Sequence, residues 1–212
     1  MKALVLVDIQ NDFLPDGALA VPDGDQVVPV ANRLIGGGSF DLVIATQDWH
    51  PANHGSFAGQ YAGGSVGDVI DLNGLRQILW PDHCVQGTGG AELAPTLNTG
   101  GIDEIFRKGT DVAVDSYSGF FDNARRKATG LAQYLTARRV CEVYVMGLAT
   151  DYCVKFTALD AVSLGFAVHL IEDGCRGVDV REGDVAKAIE EMTRAGVVIL
   201  TSNHLTNAGK AV

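Results

Sequence analysis

"EVYVMGLATDYCVKFTALDA", residues 142–161, changes its hydrophobic period part-way along. The first six residues form a short apolar run containing Val143 and Val145, the pattern of a strand covered on both faces. From Val154 the apolar residues Val154, Ala158, Ala161 and Val162 recur at helical spacing. Between the two lies a turn with Asp151 and Cys153 in it. The same strand character returns in "KALVLV" (2–7), "FDLVIAT" (40–46), "EIFR" (104–107), "FAVHLI" (166–171) and "VVIL" (197–200). Helical patterns occupy roughly 25–36, 120–137, 151–164 and 184–195. The last is bounded by Gly183 and Gly196, with Asp184 as its expected N-cap. This alternation predicts an α/β fold: a doubly wound parallel sheet of about six strands, in one domain over residues 1–212.

Residues about 49–101 depart from the pattern. They are rich in Gly, Pro, Asn and His, and carry only a short helical suggestion near 72–79. An excursion this long is functional or disordered. Both tryptophans and three of the five histidines fall in it, which favours function.

The bulk numbers narrow the classes. A chain of 212 residues can bury a sizeable core. Its 26 acidic against 16 basic residues, net charge −10, argue against a nucleic-acid or anionic-membrane partner, since those need basic patches. No run approaches the roughly 18 apolar residues of a bilayer span. "ALVLV" (3–7) is too short for a signal peptide and is followed at once by Asp8. The expectation is a cytoplasmic protein whose four cysteines, with no C-x-x-C pair, are free thiols.

Ligands of open parallel sheets bind beyond the carboxyl ends of the strands. Asp8 follows the first strand, Asp48 and His50 of "QDWH" the second, Lys108 of "FRKGT" the third, and Cys153 of "GLATDYC" the fourth. Singly, each has an ordinary reading: a turn aspartate, a solvated lysine, a cysteine serving as a small buried hydrophobe. Independent surface residues have no reason to gather on one rim. With Thr150 as N-cap, Cys153 would stand at N3, where the helix dipole and a nearby lysine lower a thiol's pKa. An aspartate could take or return the proton, and the backbone N–H groups from Ala149 to Cys153 could serve as an oxyanion hole.

A second cluster lies in the excursion: Asp48, His50 and His54 in "DWHPANHGSF" and His83 in "WPDHC". Asp and His two residues apart, with a distant His, fit a three-ligand metal site that keeps positions open. The spacing alone is a weak signal, and a loop histidine is more often exposed. Carboxylate, imidazole and water suit zinc, iron or manganese. Cys84 is assigned to packing, Cys141 and Cys175 to structure, and His169 to the core or a strand end; His204 is given no role.

"LVDIQNDF", "TQDWHPANHGSF", "WPDHCVQGT", "RKGTD", "DSYSGF" and "GLATDYCVKFTALDA" together resemble the nicotinamidases of the isochorismatase-like hydrolase family, in the family's order from about residue 3 to 177. The resemblance implies a three-layer α/β/α sandwich and an amidohydrolase that converts nicotinamide to nicotinate and ammonia in NAD salvage. By motif, the catalytic residues are Asp8, Lys108 and Cys153, with Ala149 and Cys153 giving the oxyanion N–H groups across a cis Leu148–Ala149 peptide. Phe13 and Trp80 would flank the substrate ring. Asp48, His50 and His83 would hold one divalent ion, zinc first, with iron and manganese as alternatives. His54 occupies a position at which relatives differ on direct ligation. The oligomeric state stays open, a homo-oligomer included. Two rival readings remain: another small-amide or carbamoyl hydrolase of the superfamily, and a non-catalytic metal or redox sensor using Cys153 as a reporter thiol.

Overall fold

A computed structural model describes residues 1–206; residues 207–212, inside the expected domain, lie outside the described residues. Six strands form one sheet: β1 (Lys2–Val7), β2 (Leu42–Asp48), β5 (Glu104–Lys108), β6 (Glu142–Leu148), β7 (Ala167–Arg176) and β8 (Val198–Leu200). Their order is β5-β2-β1-β6-β7-β8, and every pairing is parallel. Helices α1 (Val27–Gly36), α2 (Leu131–Ala137), α3 (Lys155–Ser163) and α4 (Asp184–Arg194) flank the sheet, and a short α5 (Asn203–Thr206) follows β8. The expected doubly wound α/β architecture with six parallel strands is the one found.

The central strands show why. Ala3 to Val7 are fully buried, β2 is buried along its whole length, and β6 is buried from Val143 onward. Strands covered on both faces have no solvent side, so they read as continuous apolar runs. Each fully buried Val or Leu contributes about 1.5–3 kcal/mol by leaving water. At the β1–β6 contact, Gly147 pairs with Val7 at φ 125°, and a Cβ there would run into the Val7 backbone. Only glycine lets the two strands approach at that point.

Three expectations about helices need correction. The pattern over 120–137 forms a helix only at Leu131–Ala137. The Asp122 carboxylate accepts the N–H groups of Arg126 and Lys127 at 2.8 and 2.9 Å, giving the backbone a turn in place of a helix. The helical suggestion near 72–79 is a β-hairpin, β3 (Val69–Leu72) and β4 (Leu75–Ile78), separate from the main sheet. Its two-residue turn is Asn73-Gly74, both at positive φ, the strongest short hairpin signal a sequence carries. At α4 the N-cap is Gly183, and Asp184 is the first helical residue.

The chain runs outward from β1 to β2 and β5 on one side. It then returns to place β6, β7 and β8 on the other. The order therefore reverses between β1 and β6, and a crevice opens beyond their carboxyl ends. Asp8 and the Ala149–Cys153 turn emerge there.

Candidate active site

Asp8 leaves β1 at φ 48°, a left-handed conformation that aspartate tolerates better than most residues. Its Oδ1 accepts a 2.6 Å hydrogen bond from the Thr46 hydroxyl of β2. Lys108, at the end of β5, is buried over its whole side chain. Its Nζ lies 2.8 Å from Asp8 Oδ2 and 2.6 Å from Asp48 Oδ1, and donates to the Ser116 carbonyl at 2.9 Å and to Cys153 Sγ at 3.4 Å. One ammonium thus meets Asp8, Asp48 and Cys153, three of the other rim residues that the sequence delivered to this edge. A buried charge is tolerated only with such compensation.

Cys153 does not sit where the sequence suggested. It is the fourth residue of a five-residue π-helical turn, Thr150–Val154, that leads into α3. The N-cap is Ala149, and the Thr150 side chain makes no capping bond. The Ala149 carbonyl accepts the N–H groups of both Tyr152 and Val154. The Leu148–Ala149 peptide is cis, as expected.

The thiol's electrostatics also differ from expectation. Burial, with the Asp8 and Asp48 carboxylates, pushes the Cys153 pKa well up; Lys108 opposes them and loses. The resting group is a thiol, so a base must take its proton. Burial raises Asp8 too, against the pull of Lys108, which makes it a stronger base than an ordinary carboxylate. Asp8 Oδ2 is ion-paired with the Lys108 ammonium at 2.8 Å, while Oδ1 is taken by the Thr46 hydroxyl.

The second cluster adjoins the first through Asp48. Its Oδ1 faces Lys108, and its Oδ2 lies 3.5 Å from His50 Nε2 and 3.9 Å from His83 Nε2. Burial would raise Asp48, but Lys108 and His50 hold it well below the usual carboxylate range. His50 Nδ1 and His83 Nδ1 lie 2.8 Å from the carbonyls of Gly109 and Pro81. Carbonyls only accept, so each Nδ1 carries the hydrogen, and each Nε2 stands on the side of its ring that faces Asp48, where a neutral imidazole could ligate an ion. Burial, then the neighbouring His50, lowers His83 to about 4, which keeps it neutral. Gly109 has φ 65°, and a Cβ there would collide with the His50 ring. These donors fit a divalent ion; the ligand atoms of Asp48, His50 and His83 lie within 4.8 Å of one another. His54 stands beside this group, its ring centroid 4.3 Å from that of His50. Its Nδ1 receives the Ser56 N–H at 3.3 Å, and its buried Nε2 has no hydrogen-bond partner among the described residues. With His50 and Asp115 it forms an adjoining donor group.

A cleft of ≈ 400 Å³, counting the part open to solvent, rises from these groups. Phe13 and Trp80 line it, with Leu19, Asp115, Tyr117, Tyr152 and Val178, which the sequence reading left unassigned. Two of these had a signal: Tyr117 lies in "DSYSGF" and Tyr152 beside the cysteine, both aromatic residues next to candidate chemistry. Val178 had none, because it reaches the cleft through Asp151. The Asp151 carboxylate accepts the N–H groups of Val178 and Asp179 at 3.0 and 2.9 Å, tying that loop to the cysteine's turn. Asp151→Ala is expected to lower stability by about 1.5–3 kcal/mol, by removing two part-buried hydrogen bonds to a carboxylate. Urea denaturation measures this, and an unchanged midpoint would count against the tether.

The model of the isochorismatase domain matches residues 2–204. The chain belongs to that family. Among its isochorismatase relatives, the nicotinamidase of Escherichia coli is 54% identical over 202 residues, 94% of each chain. A solved nicotinamidase/pyrazinamidase from Acinetobacter baumanii superposes with a TM-score of 0.92 at 46% identity, covering 96% of this chain and 97% of that one. The pyrazinamidase of Pyrococcus horikoshii, solved in complex with zinc, gives a TM-score of 0.76 at 39% identity, covering 94% and 98%. The resemblance read from the motifs therefore holds over nearly the whole chain.

Proposed function

We propose that the protein is a nicotinamidase, hydrolysing nicotinamide to nicotinate and ammonia in NAD salvage through a thioester on Cys153. The observation that carries this reading is the Lys108 ammonium. It lies within reach of Asp8, Asp48 and Cys153, and the last two of these line the aromatic cleft. Asp8 takes the thiol proton, and Cys153 Sγ bonds to the amide carbon. The N–H groups of Ala149 and Cys153 hold the oxyanion. The C–N bond breaks, and Asp8 returns the proton to the leaving nitrogen, giving ammonia. Water, deprotonated by Asp8, then attacks the thioester. The C–S bond breaks, Asp8 reprotonates the sulfur, and nicotinate leaves. Lys108 holds Asp8 in place and favours its ionised form.

Asp48, His50 and His83 would hold one divalent ion, zinc in our reading, with iron or manganese also suited to the donors. When bound, the ion supplies a Lewis-acidic position for a pyridine nitrogen, a positioning role. Phe13 and Trp80 flank the ring. No helix among the described residues is long and apolar enough to cross a membrane. Four free cysteines, two of them deeply buried beside carboxylates, suit a reducing cytoplasm.

Release of ammonia with nicotinate on adding nicotinamide tests the function. Turnover of other small amides but not nicotinamide would move the protein to another branch of the superfamily. No turnover of any amide would favour the sensor reading. For the metal, His50→Ala is expected to lose the bound ion, measured by elemental analysis, and to raise KM for nicotinamide. Benzamide, lacking the ring nitrogen, is expected to be a poor substrate that loses little more on chelation. Equal slowing of both amides by a chelator would contradict the positioning role.

A further inference from the structure

The β3–β4 hairpin lies outside the six-stranded sheet, and most of its residues are exposed or half-buried. One polar side chain breaks that pattern. Gln77 is 2% exposed, and its amide packs behind Asp115 and Tyr117 of the cleft wall. Nε2 lies 2.8 Å from the Ile78 carbonyl, 2.9 Å from Asp115 Oδ2 and 3.2 Å from Tyr117 Oη. A carbonyl and an ionised carboxylate only accept, so the amide nitrogen faces them, and the Tyr117 oxygen shares its hydrogens. Trp80 Nε1–H donates to that same phenol oxygen at 3.2 Å. The Tyr117 hydroxyl is therefore gripped from two sides, by the hairpin and by the indole. Burial, then Asp115, pushes the Tyr117 pKa well up, so it stays a neutral phenol.

The chain of contacts continues toward the chemistry. The Trp80 ring meets Tyr152 edge-on, with centroids 5.0 Å apart, and Tyr152 precedes Cys153. Tyr117, Trp80 and Tyr152 all line the cleft. A hairpin that only covered the cleft could do so with an apolar side chain. A buried amide is costly unless satisfied, and this one is satisfied by two groups of the cleft wall.

We propose that Gln77 is a positioning residue for the substrate ring. It fixes the Tyr117 hydroxyl and, through it, the plane of the Trp80 indole, so the hairpin governs substrate binding and leaves the chemical step alone. This rests on the nicotinamidase reading for its substrate and on Trp80 as a flanking aromatic.

The test uses a Trp49→Phe background, which leaves Trp80 as the single tryptophan of the two in the chain. Gln77→Leu keeps the volume and removes the amide. It is expected to raise KM for nicotinamide about tenfold while kcat changes by less than about threefold, the signature of lost binding. Trp80 fluorescence anisotropy should fall, and quenching by acrylamide should rise. Tyr117→Phe should give the same changes, and the double variant should lose less than the sum of the singles, because both act through one contact chain. An unchanged KM and anisotropy in Gln77→Leu, or a fall in kcat at constant KM, would overturn the proposal. Should Gln77→Leu not fold, unchanged KM and anisotropy in Tyr117→Phe would overturn it as well. A parent enzyme that releases no ammonia from nicotinamide refutes the substrate assignment, while the anisotropies still decide the positioning.

Discussion

Cys153→Ala is expected to lower nicotinamide turnover by roughly 10⁴-fold or more, the scale seen when a nucleophile is removed from a unit of cooperating groups. Substrate binding should survive, because the cleft is lined by Phe13, Trp80, Tyr117 and Tyr152, none of which the substitution touches. Stability should hold or rise slightly. The thiol is buried at the meeting point of two carboxylates and an ammonium, and an alanine methyl introduces no polar atom there. Steady-state ammonia release, paired with nicotinamide binding by calorimetry, checks both halves. A variant keeping more than about a hundredth of the parent rate would rule out the covalent route.

Lys108→Met is expected to cost roughly 10²–10⁴-fold at neutral pH, the range attributed to a positioned acid–base group. Its pH dependence is more telling than its size. Burial raises the Asp8 pKa, and Lys108 is the largest influence pulling it down. Removing the ammonium leaves only the Thr46 hydrogen bond against the rise, so a base that must be ionised to act becomes protonated at higher pH. The acid limb of kcat/KM should therefore move to higher pH, with part of the lost rate recovered above it. The Cys153 thiol should also become harder to ionise, since the same ammonium is what lowers it. An acid limb that stays in place would show that Lys108 is not coupled to the base.

The sheet was legible because β1, β2 and β6 are buried on both faces, and burial of that kind leaves mainly apolar residues to read, the polar Thr46, Gln47 and Asp48 coming only at the carboxyl end of β2. The rim residues were legible for a topological reason. Asp8, Asp48, Lys108 and Cys153 each end or follow a strand, and parallel strands carry their ends to one edge. What failed to show was whatever depends on three-dimensional neighbours. The helix pattern over 120–130 lost to a local competitor, the Asp122 side chain. The hairpin at 69–78 carried its Asn73-Gly74 turn signal but too little alternation around it. The thiol's high pKa was hidden because a dipole argument sees the helix and not the burial of Cys153 among Asp8 and Asp48. Gln77 meets the cleft wall through Asp115 and Tyr117, and Val178 is held there by Asp151, contacts that no spacing rule encodes.

A single-turnover experiment tests the central claim most directly. Enzyme in excess over nicotinamide is acid-quenched at successive times. Ammonia and nicotinate are measured separately, and the Cys153 peptide is examined by mass spectrometry. The covalent route predicts that ammonia appears before nicotinate, while a nicotinoyl group rises and falls on the Cys153 peptide. Ammonia and nicotinate appearing together, with that peptide unmodified at every time, would mean that water attacks the amide directly and that Cys153 is not the nucleophile.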